Sequence, residues 1–159
     1  MSPKQWKQPP KGVVDTSVLV AGISGFRESP PSISSARLLR DWTESPTFVW
    51  LATEDILSEY REVLERLKVR STARIVALIR EQARFVHITK HVEGLPDQDD
   101  AAFADCAESG DADFLVTLNP KDFPQSKLGA KVISPDDPLP RRAHRARPRH
   151  RRLSSASKK

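Results

Sequence analysis

The sequence predicts an α/β fold built on a mostly parallel sheet covered on both faces. Two observations carry that prediction. Short apolar runs rich in β-branched and aromatic residues alternate along the chain with longer segments of helical spacing, the pattern of βαβ units. The chain has 159 residues, 38% hydrophobic and 30% charged, which is room for one well-buried core plus tails.

The elements follow in order. Residues 1–11 are polar, carry Pro3, Pro9 and Pro10, and read as a disordered lead-in. Gly12-Val13-Val14-Asp15 reads as a buried strand, passing into a helical turn at Val18-Leu19-Val20-Ala21 that Thr16 or Ser17 can cap. Residues 24–31 are a Gly-, Ser- and Pro-rich loop, and residues 32–41 are expected to be helical through Ala36, Leu38 and Leu39. Phe48-Val49-Trp50-Leu51 is a second strand. Residues 53–68 give the clearest helix, because Ile56, Leu57, Tyr60, Val63, Leu64 and Leu67 form one continuous stripe. A further helix is expected over 71–84 and a strand at Phe85-Val86-His87-Ile88. Residues 98–109 are helical with Gly110 just beyond, Phe114-Leu115-Val116-Thr117 is a fourth strand, and Lys131-Val132-Ile133 a fifth. Pro135, Pro138 and Pro140 close a domain spanning 12–140.

Composition removes several function classes. The single cysteine, Cys106, allows neither an internal disulfide nor a cysteine-based zinc site, and on a helix among alanines it reads as packing. The opening residues show no apolar signal core and no run is long enough to span a bilayer, so a cytoplasmic protein without a membrane partner is expected. The net charge of +5 is unevenly spread. Residues 141–159 hold nine Lys/Arg and no acid, leaving 17 Lys/Arg against 21 Asp/Glu in the rest. An acidic body with a basic, disordered tail suggests phosphate contacts through Arg141, Arg142, Arg145, Arg147, Arg149, Arg151 and Arg152; a solvated tail that binds nothing is the plain alternative.

Open α/β sheets bind ligands outside the C-terminal ends of their strands, so the position of each acid matters. Asp15 ends the first strand, where it either faces a ligand or caps the next turn. On its helix Glu59 lies about 100° from the centre of the apolar stripe, whereas Glu62 and Glu65 point away. It either reaches inward or keeps its head in water over an apolar stem. Asp100 falls on the face defined by Phe103, Ala104 and Ala107, while Asp99 and Asp105 are expected to point elsewhere. A carboxylate aimed at a core is costly unless compensated, and the helix N-terminus compensates in part. After the fourth strand, Thr117, Asn119 and Asp122 bring a hydroxyl, an amide and a carboxylate to the same edge. Mg²⁺ and Mn²⁺ take such oxygen ligands and can activate water and stabilise charge on a phosphate. His87 and His91 read as polar surface, the latter without a partner, and Trp6, Trp42 and Trp50 show no stacking pattern, with Trp50 in the core.

These residues resemble a known pattern. Val13-Val14-Asp15-Thr16-Ser17-Val18-Leu19-Val20-Ala21-Gly22 resembles the first motif of PIN-domain nucleases, and Leu57-Ser58-Glu59-Tyr60-Arg61-Glu62-Val63-Leu64 their second acidic motif. Asp97-Gln98-Asp99-Asp100, Ala112-Asp113-Phe114-Leu115-Val116-Thr117 and Asn119-Pro120-Lys121-Asp122-Phe123-Pro124 resemble the third and fourth. The match spans about residues 12–134 and is nearest to the VapC-like toxins of bacterial toxin–antitoxin systems. The resemblance implies a three-layer α/β/α sandwich, dependence on Mg²⁺ or Mn²⁺, endoribonuclease activity, a small antitoxin partner and a homodimer. It implies that Asp15 and Asp100 are metal ligands, that Glu59 and Asp122 orient water or a second ion, and that Thr16, Ser17 and Thr117 orient carboxylates or contact phosphate. Asn119 stands where family members often carry Asp, which favours the competing reading of a non-catalytic RNA-binding module. An aspartyl phosphotransferase is disfavoured, because Asp15-Thr16-Ser17 lacks the second Asp of such nucleophile loops.

Overall fold

The computed structural model describes residues 8–25 and 33–142. Within these, five strands form one parallel sheet: β1 (Lys11–Val14), β2 (Val49–Ala52), β3 (Arg84–Phe85), β4 (Phe114–Val116) and β5 (Lys131–Ile133). Their spatial order is β3-β2-β1-β4-β5. Helices α1 (Thr16–Gly25), α2 (Ser34–Glu44), α3 (Glu54–Arg66), α4 (Thr72–Gln82) and α5 (Ala101–Ser109) flank it in a three-layer α/β/α sandwich. The chain builds outward from β1 to β3, then crosses back to β4 on the other side. The order therefore reverses beside β1, and the C-terminal ends of β1 and β4 frame the crevice where such sheets bind ligands.

Local signals explain the elements. The Thr53 hydroxyl accepts from the Ile56 N–H at 3.2 Å and caps α3, with Glu54 and Asp55 favourably placed against the dipole of its first turn. Ile56, Leu57, Tyr60 and Leu64 are buried on its apolar stripe. The stripe ends sooner than the sequence suggests, since Leu67 follows the last helical turn and is 53% exposed. Aromatic rings meet edge-on or tilted through the core. Trp42 and Trp50 meet at 4.7 Å between centroids, Trp50 and Tyr60 at 6.1 Å, and Tyr60 and Phe103 at 6.1 Å. None of these pairs is stacked face to face; α2, β2, α3 and α5 each bring one ring to a continuous run of contacts. Gly12 leaves room for the Phe114 ring to lie against β1, space that any Cβ would occupy.

Three further differences have local causes. Neither Thr16 nor Ser17 caps α1: Thr16 is its first residue, and the Asp15 carbonyl accepts the Val18 N–H at 3.0 Å. The strand expected over 85–88 is only Arg84–Phe85, extended by one bond from the Val86 N–H to the Ala52 carbonyl. Beyond it the chain is held by α5 instead, with the Ser109 hydroxyl accepting from the Thr89 and Lys90 amides. There His91 does have a partner, Asp105, at 3.0 Å. The lead-in over residues 1–7, the loop over 26–32 and the tail from 143 onward lie outside the described residues, and with them Trp6, Arg145, Arg147, Arg149, Arg151 and Arg152. Arg141 and Arg142 are exposed, the latter donating to the Gln8 amide oxygen.

Candidate metal centre

Asp15 follows β1 and its carboxylate is buried. Its backbone N–H donates to the Val116 carbonyl at 3.0 Å, which fixes it beside the end of β4. Two hydroxyls converge on one carboxylate oxygen: Ser17 Oγ donates to Oδ2 at 2.6 Å and Thr117 Oγ1 at 2.8 Å. Each hydroxyl is oriented from behind by an amide. The Leu118 N–H donates to Ser17 Oγ at 3.2 Å, and the Asn119 N–H to Thr117 Oγ1 at 2.9 Å. These paired relays use Oδ2 and leave Oδ1 outside them.

Asp100 is the opposite case. It sits half-buried at the end of a 3₁₀ turn, Gln98–Asp100, that leads into α5. Its Oδ2 is buried and accepts no hydrogen bond. Burial, then the charges of Asp15, Asp122, Asp97 and Asp99, push its carboxyl up to about 7. Glu59, half-buried on α3, is also raised, by burial first and then by Glu62 and Asp99, against the lowering field of Arg66, with Asp15 adding a smaller rise. The structure therefore brings Asp15, Asp100, Asp122 and Glu59 into one electrostatic neighbourhood. Asp122 reaches it from a 3₁₀ turn, Pro120–Asp122.

Other expected residues behave differently. The Thr16 hydroxyl is buried without a partner and makes no bond to Asp15. Asn119 is exposed and contributes its backbone amide. Cys106 is fully buried, and burial followed by Asp105 lifts its thiol to about 12, as packing requires and nucleophilic work does not.

Two further acids stand here, and one anchor that sequence reasoning missed. Asp97 caps the 3₁₀ turn by accepting the Asp99 N–H at 2.9 Å. Asp99, expected to point elsewhere, acts on both Glu59 and Asp100. The anchor is Tyr60: its hydroxyl donates to the Val14 carbonyl at 2.5 Å and accepts from Trp50 Nε1 at 3.3 Å. It ties α3 to the residue before Asp15 and so sets Glu59 against the site. Only its place in the apolar stripe was visible in the sequence.

The residues fit a divalent cation. Among the described residues no three His, Cys, Asp or Glu side chains stand close enough to grip an ion unaided. Mg²⁺ does not ask for that; it keeps several waters and takes one or two carboxylates. Asp15 supplies an oriented carboxylate and Asp100 an uncompensated one, and a buried oxygen without a donor is what a cation would satisfy.

A carboxylate cluster at the reversal point of a parallel sheet marks an α/β protein with an acidic site. The chain belongs to the PIN-domain family, whose model matches residues 11–121. No curated protein matches its sequence. Among solved structures it is similar to a chain of VapBC2 from Rickettsia felis bound to a DNA fragment from their promoter. The likeness covers 77% of this chain and 97% of that one, at 13% identity and a TM-score of 0.52, and is one of fold. No described helix is long and apolar enough to cross a membrane.

Proposed function

We propose that this chain is a metal-dependent endoribonuclease and the toxin of a type II toxin–antitoxin pair. The observation that carries the chemistry is the unpartnered, buried oxygen of Asp100 beside the oriented carboxylate of Asp15. In this reading Asp15 and Asp100 hold Mg²⁺ or Mn²⁺. The bound ion supplies an acidified water and charge stabilisation at the scissile phosphate. Glu59 and Asp122 orient the attacking water by accepting its hydrogens. Ser17 and Thr117 keep the Asp15 carboxylate fixed in rotation, and the exposed Asn119 lies at the rim where phosphate would pass, whereas the buried Thr16 hydroxyl does not reach it. The family supports hydrolysis of nucleic acid. The likeness to a VapBC2 chain agrees in fold with a toxin that works beside a small antitoxin; RNA as substrate, a homodimer and a cytoplasmic location are parts of the same proposal.

Incubating the protein with labelled RNA, with and without Mn²⁺, tests this. Cleavage by the wild type that is lost in both Asp15→Asn and Asp100→Asn supports the enzyme. RNA binding without cleavage under any metal supports the second reading, a non-catalytic RNA-binding module, which Asn119 favours by leaving the rim one carboxylate short.

A further inference from the structure

The acidic site poses a problem for its own substrate. The charges of Asp15, Asp97, Asp99 and Asp122 act on the Asp100 carboxyl and those of Asp99 and Asp15 on Glu59, around the centre where on the nuclease reading a polyanion settles, and residues 1–140 carry more acid than base. One or two divalent ions offset only part of that repulsion. Something nearby must attract the backbone of the strand.

The turn between α3 and α4 has that character. Arg66, Lys68, Arg70 and Arg74 fall within nine residues that contain no acid, and all four are exposed. The ion pairs among the described residues are Arg40–Glu44, Arg80–Glu54 and His91–Asp105, so none of the four is neutralised by a neighbour. The turn is also fixed. Lys68 and Ser71 hold left-handed backbone at φ 56° and 66°. The Leu67, Lys68 and Val69 amides donate back to Val63, Glu65 and Leu64 at 3.0, 2.9 and 3.0 Å, and the Thr72 hydroxyl donates to the Val69 carbonyl at 2.8 Å. Its orientation follows from helix geometry. Arg66 is seven residues beyond Glu59, which is two turns and about 10 Å along the same face. Consistent with that placement, the Arg66 charge acts on the Glu59 carboxyl.

We propose that the α3–α4 turn is a phosphate-binding arm that holds single-stranded RNA beside the acidic centre, with Arg66, Lys68, Arg70 and Arg74 on successive phosphates. The proposal rests on the nuclease reading for its substrate class. Lysine and arginine at fixed backbone positions neutralise phosphates and release counterions, which makes binding strongly salt-dependent and largely indifferent to sequence. The exposed Leu67 between two of the cations offers an apolar contact to a base or ribose.

The test uses the full chain and a fluorescein-labelled single-stranded RNA 20-mer, with binding measured in EDTA so that no cleavage intervenes. The fourfold variant R66Q/K68Q/R70Q/R74Q keeps helix-compatible residues, and its melting curve reports whether it folds. Each phosphate contact on a single strand contributes about 0.7 to the slope of log affinity against log salt, so the variant should flatten the slope by about 3 and weaken low-salt affinity at least ~10-fold. A second variant with the four positions as lysine should bind nearly as well as the wild type. An unchanged slope in a folded fourfold variant overturns the proposal. So does a variant that keeps its RNA affinity while losing affinity for polyglutamate, which would make the turn a dock for an acidic protein. The nuclease reading is scored separately by Mn²⁺-dependent cleavage: a wild type that binds through the turn but cuts nothing sinks that reading and leaves the arm standing.

Discussion

Both ends of the sheet bury a carboxylate, and they treat it in opposite ways. At the N-terminal edge Asp113 accepts the Lys11 N–H at 2.8 Å, while the Lys11 carbonyl accepts the Asp113 N–H at 2.8 Å and Lys11 Nζ donates to the Gly110 carbonyl at 2.9 Å. That acid stitches the starts of β1 and β4 together. At the C-terminal edge Asp15 is similarly bonded, but it shares its surroundings with Asp100, Asp122 and Glu59, and a buried oxygen there has no donor. Burial of an acid is therefore no mark of function. What separates the two ends is that the C-terminal one gathers further carboxylates around its acid and leaves a buried oxygen without a donor.

The comparison breaks most sharply on substitution. Asp15→Asn and Asp100→Asn should each reduce Mn²⁺-dependent RNA cleavage by more than about 100-fold, beyond the 10- to 100-fold typical of residues that only support a ligand. Asp113→Asn should leave cleavage within a few-fold and lower the melting temperature instead. Equal losses of activity at both ends would show that the contrast is one of folding alone.

Next in size is the effect of pH on the metal-free protein. The folded state holds the Asp100 proton up to about 7, above the ordinary carboxyl value of 3.8. The folded chain therefore binds that proton more tightly than the unfolded one. The resulting stabilisation is complete below about pH 4 and is lost as pH rises toward 7. Melting temperature in EDTA should fall across that interval, and Asp100→Asn should remove much of the fall. Urea midpoints that do not change between pH 4.5 and 7 in either protein would contradict the assignment.

Smaller effects sharpen the picture of Asp15. Thr117→Val and Ser17→Ala each remove one donor from the same oxygen and should weaken Mn²⁺ affinity or activity about 10- to 100-fold. Affinity by calorimetry, unchanged in both, would mean the relays serve folding only. Tyr60→Phe removes the bond to the Val14 carbonyl and should cost about 1–3 kcal/mol of stability, read by denaturant titration. Its effect on cleavage should be smaller than that of either hydroxyl.

Much of this was legible in one dimension. Alternating strands and helices implied the parallel sheet, and the placement of Asp15 after Val13-Val14 followed from the rule for ligand sites in such sheets. Periodicity placed Glu59 at a stripe border because α3 is regular for thirteen residues. The segment expected as one helix from residue 98 opens instead with a 3₁₀ turn, Gln98–Asp100, before α5. The bonds of Ser17 and Thr117 to Asp15, and of Tyr60 to Val14, join residues up to 102 positions apart; periodicity carries no such pairing. His91 and Asp105 were hidden for the same reason.

The central claim is that Asp15 and Asp100 share a divalent ion. Thermal unfolding of the full chain at pH 7.5, in EDTA and then in millimolar Mn²⁺, tests it most directly, because an ion bound only by the folded state must stabilise it. A melting temperature that rises with Mn²⁺ in the wild type but not in Asp15→Asn or Asp100→Asn is the predicted result. A wild-type melting temperature indifferent to both metal and chelator would contradict it.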